Sequence, residues 1–150
     1  SNILVLDRLQ DPGNLGTIIR TADAAGFRRI LVMKGTADLF SPKTVRAAAG
    51  SLYRMKFAYG DEPREVLSLL GSPGFQTVCT SPRAEINYFD ADISRSTALI
   101  IGNEANGACD VFLQGAGLLI NIPMEGSIES LNAGTAASVI MYESVRQRLR

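Results

Sequence analysis

The sequence contains no histidine and only two cysteines in 150 residues. Without histidine there can be no Ser-His-Asp triad, no Cys-His pair and no His-ligated metal. The side chain best suited to proton transfer near neutral pH is missing as well. Catalysis would have to rest on a carboxylate, Arg, Lys, Tyr, Cys, a hydroxyl group, or positioning. Cys79 and Cys109 are too few for a disulfide framework or a four-ligand zinc site, and each reads as a small buried hydrophobe. An excess of one charge is also absent. Fifteen basic residues balance fifteen acidic ones, which argues against strong non-specific nucleic-acid binding but leaves room for a specific RNA held by a local patch. The longest apolar runs, such as Ala98 to Ile101 and Gly117 to Ile120, fall far short of the roughly 18 residues of a membrane span. No charged and then apolar opening marks a signal peptide. The expectation is a cytoplasmic protein with no membrane partner and no metal.

What is present is an ordinary globular composition, 46% hydrophobic and 20% charged, at a length that suits one domain over residues 1–150. Ile3 to Leu6 reads as a buried strand. Asp11-Pro12-Gly13-Asn14 combines a turn with a helix start capped by Asn14 or Asp11, and Leu15, Ile18, Ile19 and Ala22 form the apolar stripe of that helix. Gly26 ends it. Further strands are predicted at 30–33, 55–59, 75–79, 97–101 and 118–122, with helices at 42–49, 62–70 and 110–114. A long last helix is predicted from about Glu129 to Leu149, with Leu131, Thr135, Val139, Tyr142, Val145 and Leu149 facing inward. Strands alternating with helices predict an α/β fold, a parallel sheet flanked by helices on both faces.

In such sheets ligands bind beyond the carboxyl ends of the strands. Three loops there are rich in Gly, Pro and small polar residues: Asp7 to Asn14, Gly102 to Gly107, and Ile122 to Asn132. Each polar residue in them has an ordinary reading when taken alone. Asn14 reads as a helix cap, Arg20 as a solvated arginine on a helix face, and Glu104 as a loop carboxylate. Ser130 and Asn132 read as caps of the last helix. The 102–107 loop contains neither G-x-G-x-x-G nor G-x-x-x-x-G-K-[ST], which disfavours a dinucleotide or nucleoside triphosphate.

Taken together the loops resemble the three motifs of the SpoU/TrmH-type RNA 2′-O-ribose methyltransferases. Asp11 to Gly26 is similar to the first motif and Leu99 to Gly107 to the second. Ile122-Pro123-Met124, with Ser127 to Asn132, is similar to the third. The resemblance covers nearly the whole chain. It implies a SPOUT-type domain with a deep C-terminal trefoil knot, working as a homodimer through its first and last helices. The implied reaction is methyl transfer from S-adenosylmethionine to a ribose 2′-hydroxyl of rRNA or tRNA. By the same resemblance Arg20, Asn14, Glu104, Ser130 and Asn132 are the catalytic residues. Gly102, Ile122, Leu131, Met124 and Thr80 are expected at the cofactor.

The chain departs from the family in Ala133-Gly134-Thr135-Ala136-Ala137, where Val and Ser are commoner. It also begins almost at its first strand, where members often carry an N-terminal RNA-binding domain, so a catalytic domain without that part is expected. Two alternatives stand beside this reading. One is a catalytically silent RNA-binding or assembly module of the same fold; the other is an unrelated nucleotide-dependent enzyme.

Overall fold

A computed structural model describes residues 2–71 and 74–149; Ser1, Ser72, Pro73 and Arg150 lie outside the described residues. The strands are β1 (Ile3–Asp7), β2 (Arg29–Met33), β3 (Lys56–Gly60), β4 (Gln76–Thr80), β5 (Ile86–Asn87), β6 (Thr97–Gly102) and β7 (Leu118–Asn121). The helices are α1 (Pro12–Ala25), α2 (Pro42–Ala48), α3 (Pro63–Gly71), α4 (Asp110–Gly115) and α5 (Ala133–Arg148). The strands form one sheet in the order β3-β2-β1-β6-β4-β7-β5, and every pairing is parallel.

Both faces of this sheet are covered because its central strands carry unbroken apolar runs, Ile3–Leu6, Ile30–Met33 and Ala98–Ile101. Leu4, Leu6, Ile30, Val32, Leu99 and Ile101 point to one side and pack with Leu15, Ile18, Ile19 and Ala22 of α1 and Ala137, Ile140 and Met141 of α5. Val5, Leu31, Met33, Ala98 and Ile100 point to the other and pack with Val66 and Leu70 of α3 and Phe112 of α4. Each fully buried Leu or Ile there contributes about 1.5–3 kcal/mol relative to an exposed one.

Helix α1 starts at Asp11, whose carboxylate accepts from the backbone N–H groups of Gly13 at 2.7 Å and Asn14 at 3.1 Å, so Asp11 and not Asn14 is the cap. It ends at Gly26, held at φ 85°. Helix α2 crosses α1 at Gly16. A Cβ on that glycine would sit 2.9 Å from the carbonyl carbon of Ala47, so the helices approach at backbone distance.

The last helix corrects the sequence reading. It begins at Ala133 and not Glu129, because Asn132 turns extended and accepts from the N–H of Thr135 at 3.1 Å. Its buried residues are Gly134, Ala137, Ile140, Met141, Glu143 and Ser144. Tyr142 is 47% exposed, Leu149 81% and Leu131 37%. The packing against α1 is close enough to select small residues, which a search for large apolar ones passes over. Strand β5, two residues long, is also absent from the sequence reading.

The chain lays β1, β2 and β3 outward to one edge and fills the other side with the remaining strands. That reversal places a crevice beyond the carboxyl ends of β1 and β6, where Asp7 stands in register with Gly102.

Candidate functional site

Beyond those strand ends the β1–α1 loop and the β6–α4 loop are laced together. The Asn103 side-chain amide donates to the carbonyl of Arg8 at 2.7 Å, and its Oδ1 accepts from the N–H groups of Ala105 and Asn106. The backbone of Asn103 pairs with Gly107, closing a tight hairpin. Buried Asp7 accepts from the N–H of Cys109 at 2.8 Å and from the Arg8 guanidinium at 3.2 Å. Arg8 itself stands at φ 65°, which its partners enforce: its N–H donates to Thr36 and its guanidinium reaches the carbonyl of Gly107.

Glu104 closes the network. Its carboxylate accepts from the N–H of Asp11 at 2.8 Å and of Gln10 at 3.0 Å. Partial burial works against the charge, but these donors and the Asn14 side chain outweigh it and hold the carboxyl below the usual glutamate range. Both oxygens are thus engaged with the start of α1. The arrangement suits a tie between loops better than a general base.

A cavity of about 290 Å³ opens beside this tie, near the lower end of the usual ligand-pocket range of roughly 300–1,000 Å³. The loop after β6 forms one wall; Thr80–Pro82, Asn121–Ile122, Met124 and Glu129–Leu131 form the others, with Ala133 and Ala136 of α5 at its base. All five residues expected at the cofactor, Gly102, Ile122, Leu131, Met124 and Thr80, line this one cavity. Glu104 and Ser130 line it too. Asn14 and Asn132 meet just outside, their Oδ1 atoms 3.3 and 3.2 Å from where a Cβ of Gly134 would stand. Arg20 does not line it. It projects from the exposed side of α1 with no ion pair or hydrogen bond among the described residues, while the next residue, Thr21, is bonded to Ser138 of α5 at 3.0 Å. Among the described residues the ionisable side chains in the lining are Glu104 and Glu129, with no lysine or arginine.

Over residues 1–142 the sequence matches the SpoU rRNA Methylase family. The chain belongs to that family. A 23S rRNA uridine 2′-O-methyltransferase of Streptomyces viridochromogenes is 38% identical to it over 97% of this chain and 53% of its own length. A 23S rRNA guanosine 2′-O-methyltransferase of Bacillus subtilis is 39% identical over 93% of this chain and 56% of its own. The crystal structure of an AdoMet-bound rRNA methyltransferase from Sinorhizobium meliloti superposes with a TM-score of 0.93 at 37% identity, covering all of this chain and 57% of that one. The chain spans a little over half the length of the curated relatives it matches.

Within this SpoU domain several cavity and loop residues carry no signal in the sequence. Asp7, Arg8, Gln10 and Asn103 meet across more than ninety positions of chain, and Glu129 reaches the cavity only because its segment is not helical. Gly102 has a structural duty as well. A Cβ there would overlap the backbone of Gly107 and Ala108, so the hairpin itself requires glycine. Among the described residues no cluster of three or more Cys, Asp or Glu side chains could hold a metal ion, and no helix is long and apolar enough to cross a membrane.

Proposed function

We propose that the chain is a single catalytic domain that transfers the methyl group of S-adenosylmethionine to a ribose 2′-hydroxyl of rRNA or tRNA. The observation that carries this reading is the charge of the cavity: among the described residues its wall holds two carboxylates, Glu104 and Glu129, and no lysine or arginine. A phosphate-bearing cofactor would bring its negative charge beside two carboxylates with no cation in the lining to balance it. A sulfonium ligand with an ammonium group brings positive charge to a site whose only charged side chains among the described residues are carboxylates. Gly102, Ile122, Leu131, Met124 and Thr80 would hold it, largely through backbone groups. Once bound, the cofactor supplies an electrophilic methyl group.

The chain's own residues then have positional work. Glu104, tied to Gln10 and Asp11, fixes the loop that walls the cavity. Asn14 and Asn132 both approach Gly134 at the junction of α1 and α5, and Ser130 lines the cavity. A guanidinium is a donor without an acceptor, so the role of Arg20 is to clamp the phosphate next to the target ribose and stabilise the developing alkoxide, the proton passing to water or phosphate. The reading extends to a homodimer in the cytoplasm and to a C-terminal trefoil knot. The exposed Arg20, Ala24, Thr135 and Tyr142 on α1 and α5 support the dimer.

Calorimetric titration with S-adenosylmethionine, its demethylated product and NAD tests the cofactor. The first two are expected to bind and NAD is not. Leu131→Arg, which puts a cation into the cavity, should abolish binding while the fold persists. Binding of NAD in preference to S-adenosylmethionine overturns the reading. The position of Arg20 outside the cavity lining favours a second reading, an RNA-binding module without activity. Methyl transfer to an RNA separates the two, and Arg20→Lys should lower it by about tenfold or more with cofactor affinity unchanged.

A further inference from the structure

A second cleft lies next to the first along the same end of the sheet. It has a volume of about 190 Å³ and runs between 32–39, at the end of β2, and Tyr59–Asp61, at the end of β3. Its wall is bonded to the loop that holds Glu104. The N–H of Ala37 donates to the carbonyl of Leu9 at 2.8 Å, the N–H of Arg8 donates to Thr36, and the Gln10 side chain donates to the carbonyl of Gly35. A strand that laid one ribose at the cavity would therefore meet this cleft as its neighbour on the same surface.

The cleft carries the groups that bind a nucleotide. Tyr59, on the edge strand β3, is 68% exposed, a costly placement for a large ring with no partner in the core. Phe57, two residues earlier on the same face of β3, meets the half-exposed ring of Phe40 edge-on with centroids 5.6 Å apart, so an aromatic strip runs up this edge. Lys34 lines the cleft, exposed and without an ion pair among the described residues. Two carboxylates line it as well: Asp38, which accepts from the N–H of Phe40 at 2.9 Å, and on the other side Asp61, which can accept a hydrogen bond from a ligand. An exposed ring, an unpaired cation and an acceptor within one cleft fit a base, its phosphate and an exocyclic amino group.

We propose that this cleft takes a nucleotide flanking the methylated one in single-stranded RNA, the base stacked on Tyr59, the phosphate against Lys34 and an amino group donating to Asp61. The proposal rests on the RNA-methyltransferase reading for its ligand, and its test is independent of methyl transfer. The full chain is titrated with short fluorescein-labelled oligocytidylate and oligouridylate, and in parallel with S-adenosylmethionine. Tyr59→Ala should weaken RNA binding about fivefold to a hundredfold, Tyr59→Phe should restore it, and both should bind the cofactor as before. Lys34→Gln should flatten the slope of log affinity against log salt by about 0.7. Oligocytidylate, with its amino group, should bind tighter than oligouridylate, and Asp61→Asn should narrow that difference. RNA affinity unchanged in Tyr59→Ala overturns the proposal, as does a chain that binds the cofactor and neither oligonucleotide. A chain that binds the oligonucleotides through Tyr59 but not S-adenosylmethionine keeps the cleft and removes the methyl-transfer reading.

Discussion

Replacing Glu104 with glutamine asks whether this carboxylate is a loop tie or a base. In the structure it accepts from two backbone N–H groups, of Gln10 and Asp11, at an exposed position. Charge-assisted hydrogen bonds contribute about 1.5–3 kcal/mol when sheltered, and solvent at this surface lowers that to about 0.5–1 kcal/mol each. Glutamine keeps one acceptor oxygen and loses the charge, so Glu104→Gln should cost about 1 kcal/mol, or roughly 2–4 °C in Tm for a chain of this size. The pH dependence follows from the direction of the shift. The folded-state pKa lies below the ordinary value of 4.5, so the stabilisation is complete above that value and is lost as pH falls through the folded-state pKa. The difference in Tm between the unchanged chain and Glu104→Gln should thus be full at neutral pH and shrink in strong acid. Calorimetric melts across that range measure it directly. Equal melting temperatures at neutral pH, with the same acid profile, would refute the tie; a methyl-transfer defect without any change in stability or cofactor affinity would point to proton transfer instead.

Three further outcomes can be checked in the same preparations. Gly16→Ala gains about 1 kcal/mol of helix propensity but drives a methyl group into the backbone of Ala47, and overpacking of about 1–3 kcal/mol or more should win, giving a lower denaturation midpoint. Gly102→Ala should be destabilising by about 3 kcal/mol, because the obstructing atoms are backbone of Gly107 and Ala108; a stable variant with ordinary cofactor affinity contradicts the hairpin geometry. Burial, with the Asp7 carboxylate adding, pushes the Cys79 thiol up to about 12, and burial also raises Cys109, so neither should react quickly with a thiol reagent at mildly alkaline pH until the chain is unfolded. Prompt modification of a thiol in the native protein would count against that packing.

Elements whose causes are local could be read from the order of residues alone. The Asp11-Pro12 cap, the stripe from Leu15 to Ala22 and the stop at Gly26 lie within one helix, and the apolar runs that make the central strands are contiguous. The three loops were legible for the same reason, since each directly follows a strand: Gly102 to Gly107 and Ile122 to Asn132 line the cavity, and Asp7 to Asn14 is tied to its wall through Glu104. The tertiary structure decided everything that depends on distant partners. It turned Glu104 from an isolated loop carboxylate into an acceptor for N–H groups more than ninety residues away. It chose Gly134, Ala137, Ile140 and Met141 over Tyr142 as the buried face of α5, because the closeness of α1 admits small residues there beside the large apolar ones. It left Arg20 outside the cavity lining and brought Tyr59, Lys34 and Asp61 to one cleft. Periodicity records which face of a segment is buried, but not what it is buried against, and that is settled only when the sheet order brings the strands together.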